Sequence, residues 1–306
     1  MKTCLVIYNS HAGLKKRKRG FIKTYKKILL SYNYESCIME SLFPGYIESF
    51  LENSKYNYDL VITIGGDGTF SEAVNGNMKR KKRYLLAHIP HGTTNDIGAM
   101  FGYIKDPIKN LKLLLEGKVK SVDLCKINSH FFVYVAGFGK FVKVSYSTTK
   151  NSKNMFGYGA YLLSGLKEFF NPTKLYEVTY EVEGKKNTIL TSFLLISNAN
   201  RIAGINNFYN EIKLDDGYFE VLICNANKRN DIINSFLSFI NNKERKAPNF
   251  IKIRTNHLIV RMPNTKINWT IDGEKYNDFT YKYEISVVKN FRIMIPQKNI
   301  NNLFLK

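Results

Sequence analysis

The sequence predicts a Rossmann-like three-layer α/β domain followed by an antiparallel β-sandwich domain. Three observations carry this. Apolar runs of strand length alternate with helical patterns through roughly the first 125 residues, a rhythm that means a parallel sheet covered on both faces. From about Val122 the rhythm changes to strand after strand. Two of the early strands empty into polar, glycine-bearing loops, as ligand-binding strands of an open parallel sheet do at their carboxyl ends.

Taken in order, Thr3 to Tyr8 reads as a strand, Leu14 to Leu30 as a basic helix, Glu35 to Met39 as a strand and Tyr46 to Asn53 as a helix. Asp59 to Ile64 is a strand, Phe70 to Met78 a helix and Tyr84 to Ile89 a strand. A helix begins at Asn95, and another spans Pro107 to Glu116, where Leu111, Leu114 and Leu115 share a face. In the second half the strands are Asp123 to Ile127, Phe131 to Ala136, Lys174 to Val182, Thr188 to Ser197, Gly217 to Cys224, Ile251 to Thr255, His257 to Arg261, Ile267 to Ile271 and Tyr283 to Lys289. Val178, Tyr180 and Val182 alternate with Thr179, Glu181 and Glu183, the pattern of a sheet with one buried face. Helices at Tyr158 to Phe170 and Arg229 to Asn241 interrupt them. The expected domains are an α/β domain over 1–124 and a β-sandwich domain over 125–290, with a cleft between them and residues 291–306 returning to the first domain.

The 306 residues are 44% hydrophobic, enough for a sizeable core, and 46 Lys and Arg against 25 Asp and Glu leave a net charge of +21. That charge points to an anionic partner and does not choose among nucleic acid, polyphosphate and an anionic membrane. Cys4, Cys37, Cys125 and Cys224 have no CxxC or zinc-ligand spacing and read as reduced. The first apolar run is too short for a signal sequence, and no apolar stretch approaches the roughly 18 residues a membrane span needs. A cytoplasmic protein, with peripheral contact at the inner face of the membrane, is the expectation. The basic runs Lys15 to Arg19 and Lys79 to Arg83 fit docking on anionic lipid, although any single run is more often a solvated helix end. No nucleic-acid-binding signature accompanies them, so no nucleic acid is expected.

Gly65-Gly66-Asp67-Gly68-Thr69-Phe70-Ser71 follows the strand ending at Ile64. Its glycines remove the Cβ atoms that hold an anion away from backbone amides, and they permit the positive φ values such a loop can use. A carboxylate in an anion cradle repels phosphate unless a divalent cation lies between, so Asp67 argues for a metal-bound polyphosphate. An ordinary strand-to-helix turn explains the loop equally well. A second loop, Pro90-His91-Gly92-Thr93-Thr94-Asn95-Asp96, shifts the odds toward a site, because both would open on one crevice. Asp272-Gly273-Glu274, read alone, is a hairpin turn, and Asp215-Asp216-Gly217 a solvated one.

These four segments, in chain order, resemble the diacylglycerol kinase catalytic family, and more narrowly its soluble bacterial lipid kinases, relatives of sphingosine and ceramide kinases. The resemblance covers nearly the whole chain. The Gly-Gly-Asp-Gly-Thr loop is shared with NAD kinases, whereas the Pro90 to Asp96 loop is the discriminating element. The resemblance implies an ATP- and Mg²⁺-dependent lipid kinase that phosphorylates diacylglycerol or a related lipid alcohol at the membrane surface, and it leaves room for a homodimer. ATP would touch Asn9, Ser10, His11, Ala12 and Gly13, then Ser41, then Gly65, Gly66, Asp67, Gly68, Thr69, Phe70 and Ser71, and finally Thr93. Asp67 would orient the nucleotide's Mg²⁺ through water and Glu274 would be the general base. A structural Mg²⁺ would take the Asp216 carboxylate and the backbone carbonyls of Lys213 and Tyr218, linked to Asp67 through shared waters.

Departures from the family pattern are Ser10 in place of proline, the segment Asn200 to Ile205 where a glycine-rich run is common, and Asn210 where a proline is common. The last two bear on the acceptor more than on ATP. The competing readings are an NAD kinase and a catalytically silent lipid- or nucleotide-binding regulator.

Overall fold

Strands buried on both faces have nowhere to put polar side chains, and the first domain's central strands have almost none. In the computed structural model, which describes residues 1–9, 18–92, 95–139, 174–199, 201–202, 205–206, 209, 212–241, 246–262, 267–297 and 303–305, these runs form a parallel sheet. Its strands are β1 (Lys2–Tyr8), β2 (Tyr34–Glu40), β3 (Leu60–Gly65) and β4 (Leu86–Pro90), in the order β2-β1-β3-β4. All pairs are parallel, with Val6 opposite both Ile38 and Ile62, and Ile64 opposite Ile89. The chain reverses its direction of sheet growth between β1 and β3, the switch point at which open α/β sheets bind ligands.

One face of this sheet, carrying Cys4, Val6, Leu60, Ile62, Ala87 and Ile89, packs on two helices. They are α1 (Lys18–Ser31), through Phe21, Tyr25 and Leu29 at helical spacing, and α5 (Pro107–Leu115), through Leu111 and Leu114. Asp106 caps α5 by accepting the amides of Ile108 and Lys109, with Pro107 as its first residue. The opposite face is buried too, since Leu5 and Ile7 have no exposure. Helix α3 (Asp67–Met78) packs on β3 and β4, and α2 (Tyr46–Asn53) packs on α3 where Gly76 lies against the Glu48 carbonyl with no room for a Cβ. A five-residue helix, α4 (Asp96–Met100), completes the run.

Part of the Lys79 to Arg83 run is spent inside this domain. Lys79 bonds Glu48 and Glu52, while Arg80 donates to the carbonyls of Leu51 and Ser54 and covers the Tyr84 ring. These two cations tie the end of α3 to the end of α2, whereas Lys81, Lys82 and Arg83 stand exposed beyond them. Of the other basic run, Lys15 to Arg17 lies outside the described residues, and Lys18 and Arg19 open α1.

His88, in the middle of β4, is 1% exposed, with Nδ1 2.9 Å from Thr63 Oγ1 and its ring stacked on Phe70 at 5.0 Å. The Thr63 hydroxyl reaches the Ala87 carbonyl, so its oxygen is left to accept from His88 Nδ1–H, and Nε2 has no partner. Burial pulls the imidazole down to about 3. The folded protein therefore holds His88 neutral, whereas the unfolded chain binds a proton there below its ordinary value near 6.5. Its stabilising contribution is complete above pH 6.5 and is lost as pH falls toward 3, at about 1.4 kcal/mol per pH unit. Urea denaturation is expected to show a His88-dependent loss of about 2 kcal/mol between pH 6.5 and pH 5. The comparison is with His88→Phe, whose profile over that interval should be flatter by that amount; equal slopes would mean that His88 titrates normally.

The chain forms two compact units, one of Met1–Val122 with Asn290–Lys306 and the other of Asp123–Lys289. The second unit is an antiparallel sandwich. One sheet runs β9 (Lys185–Thr191), β8 (Tyr176–Val182), β15 (His257–Arg261) and the first part of β18 (Lys282–Ile295). The other runs β14 (Phe250–Thr255), β13 (Phe219–Cys224), β10 (Phe193–Ser197), β7 (Val135–Gly139), β16 (Trp269–Ile271) and β17 (Glu274–Tyr276). Val178, Val260 and Ile285 of the first meet Phe138, Ile196, Val221 and Trp269 of the second in one core. Trp269 is its centre, 5.0 Å from Phe138 and 4.9 Å from Tyr283. Further elements are β5 (Lys118–Ile127) paired with β6 (His130–Phe132), the short pair β11 (Arg201–Ile202) and β12 (Ile205–Asn206), and helix α6 (Arg229–Asn241).

Several sequence expectations are corrected. The single strand expected over Thr188 to Ser197 is two strands in different sheets, broken at Ser192, whose amide donates to Cys224 O while Thr191 Oγ1 bonds the carbonyls of Phe193 and Cys224. Helix α3 starts at Asp67 rather than Phe70. Strand β18 runs to Ile295 rather than stopping at Lys289, and its Ile293, already within the first unit, pairs in parallel with Leu86 of β4. The helix expected over Tyr158 to Phe170 lies outside the described residues. Among the described residues no helix is long and apolar enough to cross a membrane.

Candidate active site

The carboxyl ends of β1, β3 and β4 lie side by side because the strands are parallel and in register, so the residues following them form one rim. Asn9 donates its amide to Ile64 O and its side chain to Thr69 Oγ1, at 2.9 and 3.3 Å. His91 donates its amide to Gly65 O at 2.6 Å, and Ser41, 6% exposed, to Tyr8 O at 2.8 Å. Asn9, Ser41 and Gly65 to Ser71 are thus brought together. Ser10, His11, Ala12, Gly13 and Thr93 lie outside the described residues.

The glycines of this rim serve close approach, not unusual dihedrals. Gly66 has φ −85° and ψ −179°, and neither it nor Gly65, Gly68 or Gly92 has a positive φ, against the sequence expectation. Instead, a Cβ on Gly65 would collide with the Thr69 side chain. One on Gly92 would lie 2.5 Å from Gly66 Cα and 2.9 Å from Asn95 Oδ1. The two loops therefore touch through bare backbone. Asn95 holds the second loop shut by accepting the Gly92 amide at 2.6 Å and donating to the Gly92 carbonyl at 2.8 Å, itself in a left-handed conformation that Asn tolerates. Gly98 of α4 sits against the Pro90 ring with no space for a Cβ.

Asp67 is the first residue of α3, and its carboxylate reaches the next helix. Oδ2 accepts the Asp96 amide at 3.1 Å and Oδ1 the Ile97 amide at 3.2 Å. A 9% exposed carboxylate is thereby satisfied by the N-terminus of α4, whose partial positive charge favours it. A carboxylate oxygen is of the kind that can order water around a hydrated cation. The start of a twelve-residue helix beside two glycine loops is a place for an anion such as a phosphate chain.

In the second unit, Asp272 and Gly273 are the two central residues of the hairpin joining β16 to β17, with φ 48° and 87°, as a two-residue type I′ turn requires. Asp272 does more than turn the chain. Its buried carboxylate accepts the amides of Val133, Tyr134 and Val135 at 2.8, 3.0 and 3.2 Å. That clamp secures the hairpin and leaves Glu274 exposed at the start of β17, opposite Ile271.

Asp216 accepts the Tyr218 amide through Oδ1 at 2.9 Å and the Arg254 guanidinium through Oδ2 at 2.7 Å. Around it, Asp123 accepts the Gly217 amide at 2.6 Å, and the Lys289 ammonium lies where a Gly217 Cβ would be. Burial pushes the Asp123 and Glu220 carboxyls above their usual range, and the neighbouring Asp216 charge adds to both, against Lys289 for the first and Lys252 and Arg254 for the second. Among the described residues no three His, Cys, Asp or Glu side chains converge as a metal-ligand group. The donor set suggested for a structural cation is one carboxylate with two main-chain carbonyls, of Lys213 and Tyr218. These are hard oxygens, the donor type that Mg²⁺ takes.

Sequence reasoning does not single out Asn95, Asp123, Glu220, Arg254 or Lys289. Asn95 has a local signal, an Asn before a helical pattern. Arg254 has none, because Asp216 is 38 residues away in the chain.

Residues 3–127 match the family model for the diacylglycerol kinase catalytic domain. A curated diacylglycerol kinase of Staphylococcus aureus (strain MRSA252) is 28% identical over 277 residues, covering 89% of this chain and 86% of that protein. The strain Newman protein of the same name gives the same figures. A crystal structure of a diacylglycerol kinase from Bacillus anthracis str. Sterne has the same fold, with TM-score 0.71 at 20% identity, covering 96% of this chain and 97% of that one. Another structure from that organism has TM-score 0.79 at 21% identity, covering 96% and 95%.

Proposed function

We propose that this chain, a lipid kinase of the diacylglycerol kinase family, transfers the γ-phosphoryl group of ATP to the hydroxyl of diacylglycerol or a related lipid alcohol at an anionic membrane surface. The observation that carries this reading is the pair of glycine loops in backbone contact, with Asp67 at the head of α3 and braced by α4. In it, Asn9, Ser41 and Gly65 to Ser71 bind and orient the nucleotide, and the same role is proposed for Ser10, His11, Ala12, Gly13 and Thr93, which lie outside the described residues. Magnesium bound with ATP would neutralise charge developing on the transferred group.

Asp67, its carboxylate held by the amides of Asp96 and Ile97, would hold water of the hydrated cation. Glu274 accepts the acceptor's hydroxyl proton at a carboxylate oxygen as the new P–O bond forms, and ADP leaves. Glu274 stands exposed at the start of β17, open to an incoming hydroxyl. A second Mg²⁺ at the Asp216 carboxylate and the carbonyls of Lys213 and Tyr218 would serve structure, not transfer. Attraction to anionic lipid rests on the net charge of +21 and on Lys81, Lys82 and Arg83, at roughly 1 kcal/mol per surface-adjacent cation.

The test is phosphorylation of lipid by the purified protein with Mg²⁺ and labelled ATP in mixed micelles containing phosphatidylglycerol, with the product identified by mass. A phosphorylated diglyceride or monoglyceride is expected. Label incorporated only into soluble NAD, or into nothing across diglycerides, monoglycerides and sphingoid bases, would overturn the reading.

A further inference from the structure

We propose that Arg254 is a built-in competitor for the cation assigned above to Asp216, so that metal binding there is an exchange of one cation for another. This rests on the reading of Asp216, Lys213 and Tyr218 as a magnesium site.

The Asp216 side chain is 8% exposed, so its charge needs a partner at all times. Arg254 provides one at 2.7 Å, delivered by sheet register, since Arg254 of β14 stands directly opposite Glu220 of β13. Three contacts hold the guanidinium there: Asp216 Oδ2, Glu220 Oε1 at 3.7 Å from Nε, and the face of Tyr218 at 4.7 Å. A divalent ion taking the Asp216 carboxylate together with main-chain carbonyls at residues 213 and 218 would draw on the same buried negative charge that the Arg254 guanidinium neutralises from Oδ2.

Two features let the guanidinium leave. Its side chain is 51% exposed, so rotation into water carries little desolvation cost, and arginine is weakly hydrated and fully charged in either position. Glu220 offers a resting place, because its carboxylate is already within reach of Arg254, with the Lys252 ammonium 3.7 Å from its buried Oε2. When the metal leaves, Arg254 returns, and the loop from Lys213 to Tyr218 keeps its shape. The Gly217 amide bond to Asp123 and the packing of Lys289 on Gly217 do not involve Arg254 and hold the loop in both states.

Thermal unfolding of the nucleotide-free protein, titrated with MgCl2 from an EDTA-treated start, tests this in wild type, Arg254→Met and Asp216→Asn. Methionine keeps an unbranched stem over Tyr218 on a half-exposed strand position, so the variant should fold. In wild type the melting temperature should rise saturably with MgCl2. Arg254→Met should melt lower without metal and reach half of its rise at about five- to tenfold lower MgCl2, as expected for removing a half-exposed charge-assisted bond. Asp216→Asn should show no saturable rise. Equal midpoints in wild type and Arg254→Met, with the rise abolished in Asp216→Asn, would overturn the competition and leave the metal site standing. A constant offset of Arg254→Met at every MgCl2 concentration would do the same, showing a structural ion pair only. No saturable rise in wild type or in Arg254→Met would remove the metal reading and this proposal with it.

Discussion

Asp67→Ala is expected to lower kcat for lipid phosphorylation by two orders of magnitude or more, while the protein still folds. Two effects combine. The variant leaves the buried amides of Asp96 and Ile97 without acceptors, at about 1 to 3 kcal/mol for each group left unsatisfied, which should lower the melting temperature by several degrees. It also releases α4 and with it the Gly92 loop that touches Gly66, and misplacing reacting groups by about 1 Å can cost on the order of 100-fold. Asp67→Asn separates the two effects. The amide oxygen can still accept one N–H, so stability should recover in part, whereas loss of the charge should keep activity as low as in the alanine variant. Steady-state kinetics with calorimetry on both variants checks this, and Asp67→Asn with wild-type kcat would show that the carboxylate serves only to cap α4.

Glu274→Gln should lower kcat by about 10²- to 10⁴-fold, the usual worth of a general base, with the KM for ATP unchanged. Its stability should stay within about 0.5 kcal/mol of wild type, because Glu274 is exposed. The hairpin depends on the neighbouring residues instead: Asp272 and Gly273 supply the two positive φ values, and the Asp272 carboxylate holds three amides. Kinetics over a range of ATP and diglyceride concentrations, with thermal unfolding as the control, distinguishes this from damage to the turn. A variant with unchanged kcat would transfer the base role to another group.

These two residues also mark how far sequence reading reaches. The parallel sheet was legible because its strands are buried on both faces and so appear as unbroken apolar runs, Cys4 to Tyr8 and Leu60 to Ile64 among them. The loops after β3 and β4 were legible because glycine, threonine, asparagine and aspartate cluster where such runs end. The break at Ser192 was not, since Leu190 to Ser197 remains rich in apolar residues although the chain changes sheets within it. Strand length and partner depend on what lies alongside, and composition does not report that.

By itself the sequence determined which residues could carry a phosphate-handling site, because local chemistry and strand endings are written along the chain. Only the tertiary structure decided what those residues do to each other. It made Gly66 and Gly92 a backbone contact instead of a pair of flexible turns, turned Asp67 toward the amides of α4, and set Arg254 on Asp216. The physical reason is the same in each case. Hydrogen bonds, ion pairs and close backbone approach act over about 3 to 4 Å, and the partners here are separated by 26 to 38 residues of chain that only folding brings together.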